Sequence, residues 1–461
     1  MDFYRIGAEN DYAGSTEWLR GVWAAPPPHP DGVPEHACPA VDWGWPGYQV
    51  PIPPQWRPGM YVAFFVESAS DTAPTTDGRG RPAGKLPYDS ARLAGFGREY
   101  FVLRPRVPGS AAILYKKSSF TRHAYNRSDA PGIERASSLY DNPVYVPANG
   151  DEPGGHKVSA HRPGGVNDLA YWDAPFIAWL EREGYQVEFC TDLDLHEDPN
   201  LLSPYRLLLS VGHDEYWSAR MREHVEAFVD AGGNVAFFSA NTCWWRVHVV
   251  DGGTALVCDT DHDVDGVYPH LPATDQWWPP EPDGVGAPEN ALTGVSFRNG
   301  GMWPGDDWPG DRPRTGFLVQ HADHWVYEGT GLRDGSGGRG ADRLGAGQPL
   351  IGYECDGAAY TVDERGVARP TGADGTPESF LILGIAVLAP THDDFHNPKP
   401  GHWNCVSRES ATGPRAATMG IHTRNGTVFT AATTDWPAIV GRGCDVGVGR
   451  VTRNVLDRLS T

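Results

Sequence analysis

Residues 207–228 read LLLSVGHDEYWSARMREHVEAF, an apolar run that passes through Gly212 into an amphipathic stretch. The run 206–212 predicts a buried strand. Ser218 suits a helix N-cap, after which Met221, Val225, Phe228 and Val229 fall on one face until Gly232-Gly233 ends the helix. NVAFFSAN, 234–241, then predicts the next strand. Strand, helix, strand is the unit of a parallel sheet covered on both faces, in which functional groups collect beyond the carboxyl ends of the strands. His213, Asp214, Glu215 and Tyr216 crowd such an end, where a plain connection needs only a turn and a cap.

The same grammar extends outward. YWDAPFIAWLEREG, 171–184, sets Phe176, Ile177 and Leu180 at helical spacing and stops at Gly184 before the strand YQVEFC. Thr191 to Asp194 follow that strand and Asn241 follows NVAFFSA, so neighbouring strand ends are expected to bring these groups and the 213–216 joint into one crevice. Upstream, MYVAFFVES and REYFVLRP predict a β-rich section, and AAILYKKS either belongs to it or opens the next domain. The expected division is a Pro-rich and β-rich region over 1–108 and an α/β domain over 109–461, carrying a loop-rich insertion at about 250–350.

Composition narrows the function. With 38 Lys and Arg against 59 Asp and Glu the net charge is −21, so nucleic acid and anionic membrane are repelled over most of the surface. No apolar run approaches a membrane span and the start, MDFYRIGAENDYAG, lacks a signal peptide's basic and apolar regions, which predicts a cytoplasmic protein. The 7 cysteines are scattered without a CxxC, so they read as small core residues. There is no G-x-S-x-G elbow and no glycine run that leaves a strand to open a helix, which disfavours a serine nucleophile and a phosphate cradle.

Chemistry then rests on a few clusters. A tyrosine before an N-cap is commonly a packing residue, yet a phenol beside a hard cation such as Fe3+ ionises at neutral pH and becomes a ligand. In an extended joint Tyr216 and Asp214 share one side, while His213 and Glu215 share the other as acid–base candidates. THDDFHNPKPGHWN, 391–404, and CDTDHDVDG, 258–266, are competing divalent-cation candidates without a recognised ligand spacing.

GHDEYWS and GGNVAFFSANTCWWRV, with TRHAYN and SSLYD upstream and PFIAWLEREGYQVEFCTDLDLH between, resemble the large (β) subunit of N,N-dimethylformamidase. The resemblance implies an α/β, glutamine-amidotransferase or flavodoxin-like parallel-sheet domain behind a β-rich region. It also implies a mononuclear iron, Fe3+, held by two tyrosines and a carboxylate and activating water to cleave a small amide. Carried over, Tyr216 and Tyr171 become the phenolate ligands, Glu289 the carboxylate with Asp275 as its alternative, and His213, Glu215 and Asn241 the catalytic groups, with Asn126 a further polar contact. The partner so implied is a small-molecule amide substrate, and a homo-oligomer or a small partner subunit stays open. Relative to that subunit the chain is expected to lack an N-terminal lectin-like domain. Two other readings keep the scaffold: a metal-dependent biosynthetic tailoring enzyme, or a non-catalytic protein that binds a sugar or peptide through its acidic and Trp-rich loops.

Overall fold

The structure is a computed structural model and describes residues 1–21, 46–65, 97–125, 139, 155–161, 169–260, 274–302, 314–334, 340–388 and 415–461. Its centre is a nine-stranded sheet. Five parallel strands lie side by side in the order Val187–Thr191, Ile113–Lys117, Leu207–His213, Asn234–Ala240 and Thr427–Thr430. Numbered along the chain, that order is 2-1-3-4-5. Ala416–Thr423, Leu381–Val387, Phe317–Val319 and Arg343–Leu344 extend the sheet as antiparallel strands beyond the fifth.

Alternation along each strand builds two cores. Tyr115, Leu207, Leu209, Val211, Ala236 and Phe238 face one way, against Phe176, Ile177 and Leu180 of the helix Ala174–Arg182 and Val451 and Val455 of Val446–Leu459. Leu114, Leu208, Val235 and Phe237 face the other, against Met221, Val225, Phe228 and Val229 of Ala219–Asp230. With a side-chain period of two, a one-residue slip would send both sets to the wrong layer, so burial itself fixes the register. Ser218 caps its helix by accepting from Met221 N at 3.1 Å.

An antiparallel sheet of Asp11–Ser15, Asp2–Arg5, Gly59–Phe65 and Gly97–Leu103 precedes this domain. Its Tyr4, Ile6, Met60 and Val62 join the first of the two cores. The run AAILYKKS therefore opens the large sheet rather than closing the small one. It also corrects the expected neighbours: Ile113–Lys117 separates Val187–Thr191 from Leu207–His213. Helical crossovers let a parallel strand skip a place, so chain order alone does not give sheet order. The region 250–350 is more than surface loop, since Phe317–Val319 and Arg343–Leu344 pair into the main sheet. Among the described residues no helix is long and apolar enough to cross a membrane.

Where the connections leave strands 1 and 3 in opposite directions a crevice opens at their carboxyl ends. Gly212 turns the chain there, with φ +78°, and a Cβ at this position would stand 2.9 Å from Trp172 Cβ. Only glycine takes that conformation without strain and lets the indole press so close. Gly212→Ala is expected to cost about 1–3 kcal/mol, as the sum of a left-handed backbone and a steric overlap. Denaturant unfolding checks this, and a midpoint equal to that of the parent chain would refute it.

Candidate active site at the strand ends

Backbone bonds hold the joint after Gly212 open. Cys243 N donates to Asp214 O at 2.9 Å, and Trp244 N and Trp245 N donate to Glu215 O at 2.9 and 3.0 Å. From the other side Thr121 Oγ1 accepts Glu215 N at 2.9 Å and Tyr216 N at 3.3 Å. Pinned at both edges, the extended segment sends His213 and Glu215 to one side and Asp214 to the other.

On the first side His213 Nε2 lies 3.2 Å from Glu215 Oε2 and 2.8 Å from Glu354 Oε2. Tyr125 donates its hydroxyl to Glu215 Oε2 at 2.6 Å, and the Asn241 carboxamide stands 3.4 Å from His213 Nε2. All but Tyr125 are buried. Aromatic rings wall the imidazole, with Tyr125, Trp172 and Tyr353 centred 5.7, 6.2 and 6.2 Å from it. Burial opposes charge on His213, but Glu354 and Glu215 outweigh it and lift the imidazole to about 10, so it holds a second proton at neutral pH. Glu354 is itself raised by burial and by Glu215, against the pull of His213.

Behind this group, Asp356 accepts from Asn241 N at 2.8 Å and Thr242 N at 3.3 Å. Burial pushes its carboxyl up to about 8 despite those two donors. Asn241 and Cys243 have φ of 48° and 59°, a conformation non-glycine residues seldom hold except where surrounding structure forces it, as in functional crevices.

On the second side Asp214 meets Lys116, whose Nζ lies 2.6 Å from Asp214 Oδ1 and 2.6 Å from Asp192 Oδ1, with no solvent exposure at any of the three. Trp217 lies under the same ammonium at 4.9 Å. Ser210 Oγ donates to the remaining Asp214 oxygen at 2.6 Å. Lys116 thus joins the ends of the first three parallel strands; of the three ends that the sequence expected to converge it ties two, those of Val187–Thr191 and Leu207–His213, while Asn241 follows the fourth strand.

The residues put forward from the sequence fall in several places. His213, Glu215 and Asn241 stand together. Tyr216 is buried in the strand Tyr216–Ser218, its ring edge-on to Tyr125 with centroids 6.0 Å apart. Tyr171 belongs to the π-helix Leu169–Asp173, with the Arg442 guanidinium 4.8 Å over its ring and Trp172 edge-on beside it. Glu289 is buried and accepts from Ser296 Oγ, while its second oxygen has no hydrogen-bond partner. Asp275 is bound at 2.6 Å by Arg246 and at 3.1 Å by His248, the pair that holds its carboxyl below the usual range against the effect of burial. Asn126, residues 391–404 and 261–266 lie outside the described residues. Two members of the site, Tyr125 and Glu354, were not put forward; TRHAYN held the signal for the first, and nothing in GYECDG marks the second.

Comparison with known proteins identifies the family. The family model described as N,N-dimethylformamidase beta subunit-like, C-terminal, matches residues 1–445. The N,N-dimethylformamidase beta subunit of Paracoccus aminophilus is 24% identical over 407 residues, covering 77% of this chain and 50% of that protein. That of Alcaligenes sp is 24% identical over 310 residues, covering 62% of this chain and 37% of the relative. The chain therefore spans half or less of the length of the curated relatives it matches. It belongs to the N,N-dimethylformamidase beta subunit-like family, C-terminal part.

Proposed function

We propose that this chain carries the hydrolytic centre of a small-amide hydrolase of the N,N-dimethylformamidase type. The observation that carries the reading is the buried meeting of Tyr125, Glu215, His213 and Glu354, with Tyr125 Oη 2.6 Å from Glu215 Oε2, in a chain of this family. The parallel order 2-1-3-4-5 likewise supports an amidotransferase or flavodoxin-like reading of the domain.

A ferric ion fits the donors. Among the described residues no three His, Cys, Asp or Glu side chains form a metal-ligating set, so a cation here draws on tyrosine oxygen. Tyr125 and Glu215 offer adjacent hard oxygens, and Glu354 Oε2 stands beside them, 2.8 Å from His213 Nε2. These residues would hold the metal, with Tyr216 or Tyr171 as the second phenol. When bound, Fe3+ polarises a carbonyl and lowers the pKa of water.

Hydrolysis adds water to the amide carbon, breaks the C–N bond and leaves an acid and an amine. A carboxylate oxygen of Glu354 takes the proton that the attacking water must lose. His213, with Nε2 2.8 Å from Glu354 and 3.2 Å from Glu215, gives a proton to the departing nitrogen, a transfer worth roughly 10²–10⁴-fold in rate. Tyr125 keeps Glu215 turned into the crevice. The rings of Trp172, Tyr353 and Tyr125 exclude water and suit alkyl substituents on the nitrogen. The relatives' name of beta subunit supports an assembly with a further subunit for this chain as well.

Freshly purified protein is expected to contain iron near one per chain and to absorb visible light through phenolate-to-iron charge transfer. Tyr125→Phe should weaken or shift that band and abolish amine release from small formamides, and Tyr171→Phe and Tyr216→Phe identify the second phenol by the same spectrum. A colourless, metal-free preparation that still releases amine would sink the iron reading. Separately, His213→Gln should lower kcat by roughly 10²–10⁴-fold with iron content retained; undiminished turnover would remove the imidazole from proton transfer.

A further inference from the structure

Lys116 is the penultimate residue of the first parallel strand, wholly buried where a plain sheet would carry an apolar residue. Taking an ammonium and two carboxylates out of water is costly, and uncharged replacements of buried ion groups are often neutral or stabilising. The triad is therefore not explained by stability, and its bonds lead instead to both halves of the site.

One arm is Asp192. While Oδ1 takes the lysine at 2.6 Å, Oδ2 accepts Phe120 N at 2.8 Å, in the first turn of the helix Ser119–Ala124. That helix presents Thr121, whose Oγ1 holds Glu215 N at 2.9 Å, and delivers Tyr125 at its C-terminal end, where Tyr125 N donates to Thr121 O at 3.3 Å. The other arm is Asp214, bound by Lys116 at 2.6 Å and by Ser210 at 2.6 Å, between His213 and Glu215 in the chain. One ammonium thus grips the element that brings the phenol and the element that brings the carboxylate.

We propose that Lys116 is a positioning residue: by drawing Asp192 and Asp214 together it sets the spacing between the Tyr125 hydroxyl and the Glu215 carboxylate, and with it the direction of His213. This rests on the reading of Tyr125 and Glu215 as the centre of the site. A flexible apolar side chain would fill the same space and leave the helix free to slide along the strand end. Arginine would keep the charge but, being longer and forked, would push the two carboxylates apart.

The test compares the full chain with the near-isosteric, uncharged triple variant Lys116→Met/Asp192→Asn/Asp214→Asn and with Lys116→Arg. Thermal unfolding, crystal structures, and kcat and KM for a small formamide are measured on each. The triple variant is expected to unfold cooperatively near the parent midpoint, to lose the Tyr125–Glu215 hydrogen bond, and to drop kcat by on the order of 10–10²-fold with KM little changed. If it does not fold, Lys116→Arg carries the test, with the same loss of contact and kcat expected. A folded variant of either kind that keeps the 2.6 Å contact and parental kcat overturns the proposal. Should the parent chain hydrolyse no formamide, the functional reading falls alone, because the Tyr125–Glu215 distance in the variants still decides the role of Lys116.

Discussion

An ammonium wholly removed from water persists in a protein only where negative charge meets it at contact distance, and the Lys116 group satisfies that demand twice over. Its two carboxylates belong to the ends of the second and third parallel strands, and Lys116 itself belongs to the first, which lies between them. The sheet thereby carries, just behind its functional edge, a clamp whose strength comes from the low dielectric around it. Geometry in the crevice is inherited from that clamp: the helix that ends at Tyr125 and the segment that bears His213 and Glu215 have fixed relative positions because their roots share one cation.

The crevice adds a second charged group with different consequences. His213 sits between two carboxylates, which favour the charged imidazole against the effect of burial. A proton held this way is close to both carboxylates. The two polar sides of one short segment, which differ by a single residue in sequence, thus do unlike work. Alternation sends Asp214 inward to the clamp and its neighbours outward to the chemistry.

Much of this was legible before any coordinates. Residues 207–228 announce a strand, a cap and a helix because each signal is local: apolar residues at a fixed period, a serine at the cap, glycines at the stop. The convergence of His213, Glu215 and Asn241 followed from the rule that strands deliver groups at their carboxyl ends. Sheet order did not follow, since AAILYKKS looks the same as a last strand of one sheet or a first strand of another, and its placement depends on which faces it covers. Tyr125 was written in TRHAYN, but its six-residue helix has no sequence period of its own and is defined by bonds to Asp192 and Thr121. Tyr171, Tyr216 and Glu289 came from resemblance and residue type, which carry chemistry without direction in space.

Glu354 shows why the last part was out of reach. It lies on the strand Glu354–Gly357, which pairs with Ser296–Met302 on one side and is bonded on the other through Thr434 N to Glu354 O at 3.1 Å, in the segment just beyond the fifth parallel strand. A strand that crosses there must point every second residue at the crevice. Glu354 accordingly meets His213, and Asp356, two residues on, meets the amides of Asn241 and Thr242. No local pattern in GYECDG announces this, because the information sits in the docking of a late, loop-rich segment onto the strand ends. The core elements bring the strand ends together, and the segment folded over them supplies the second carboxylate that meets His213.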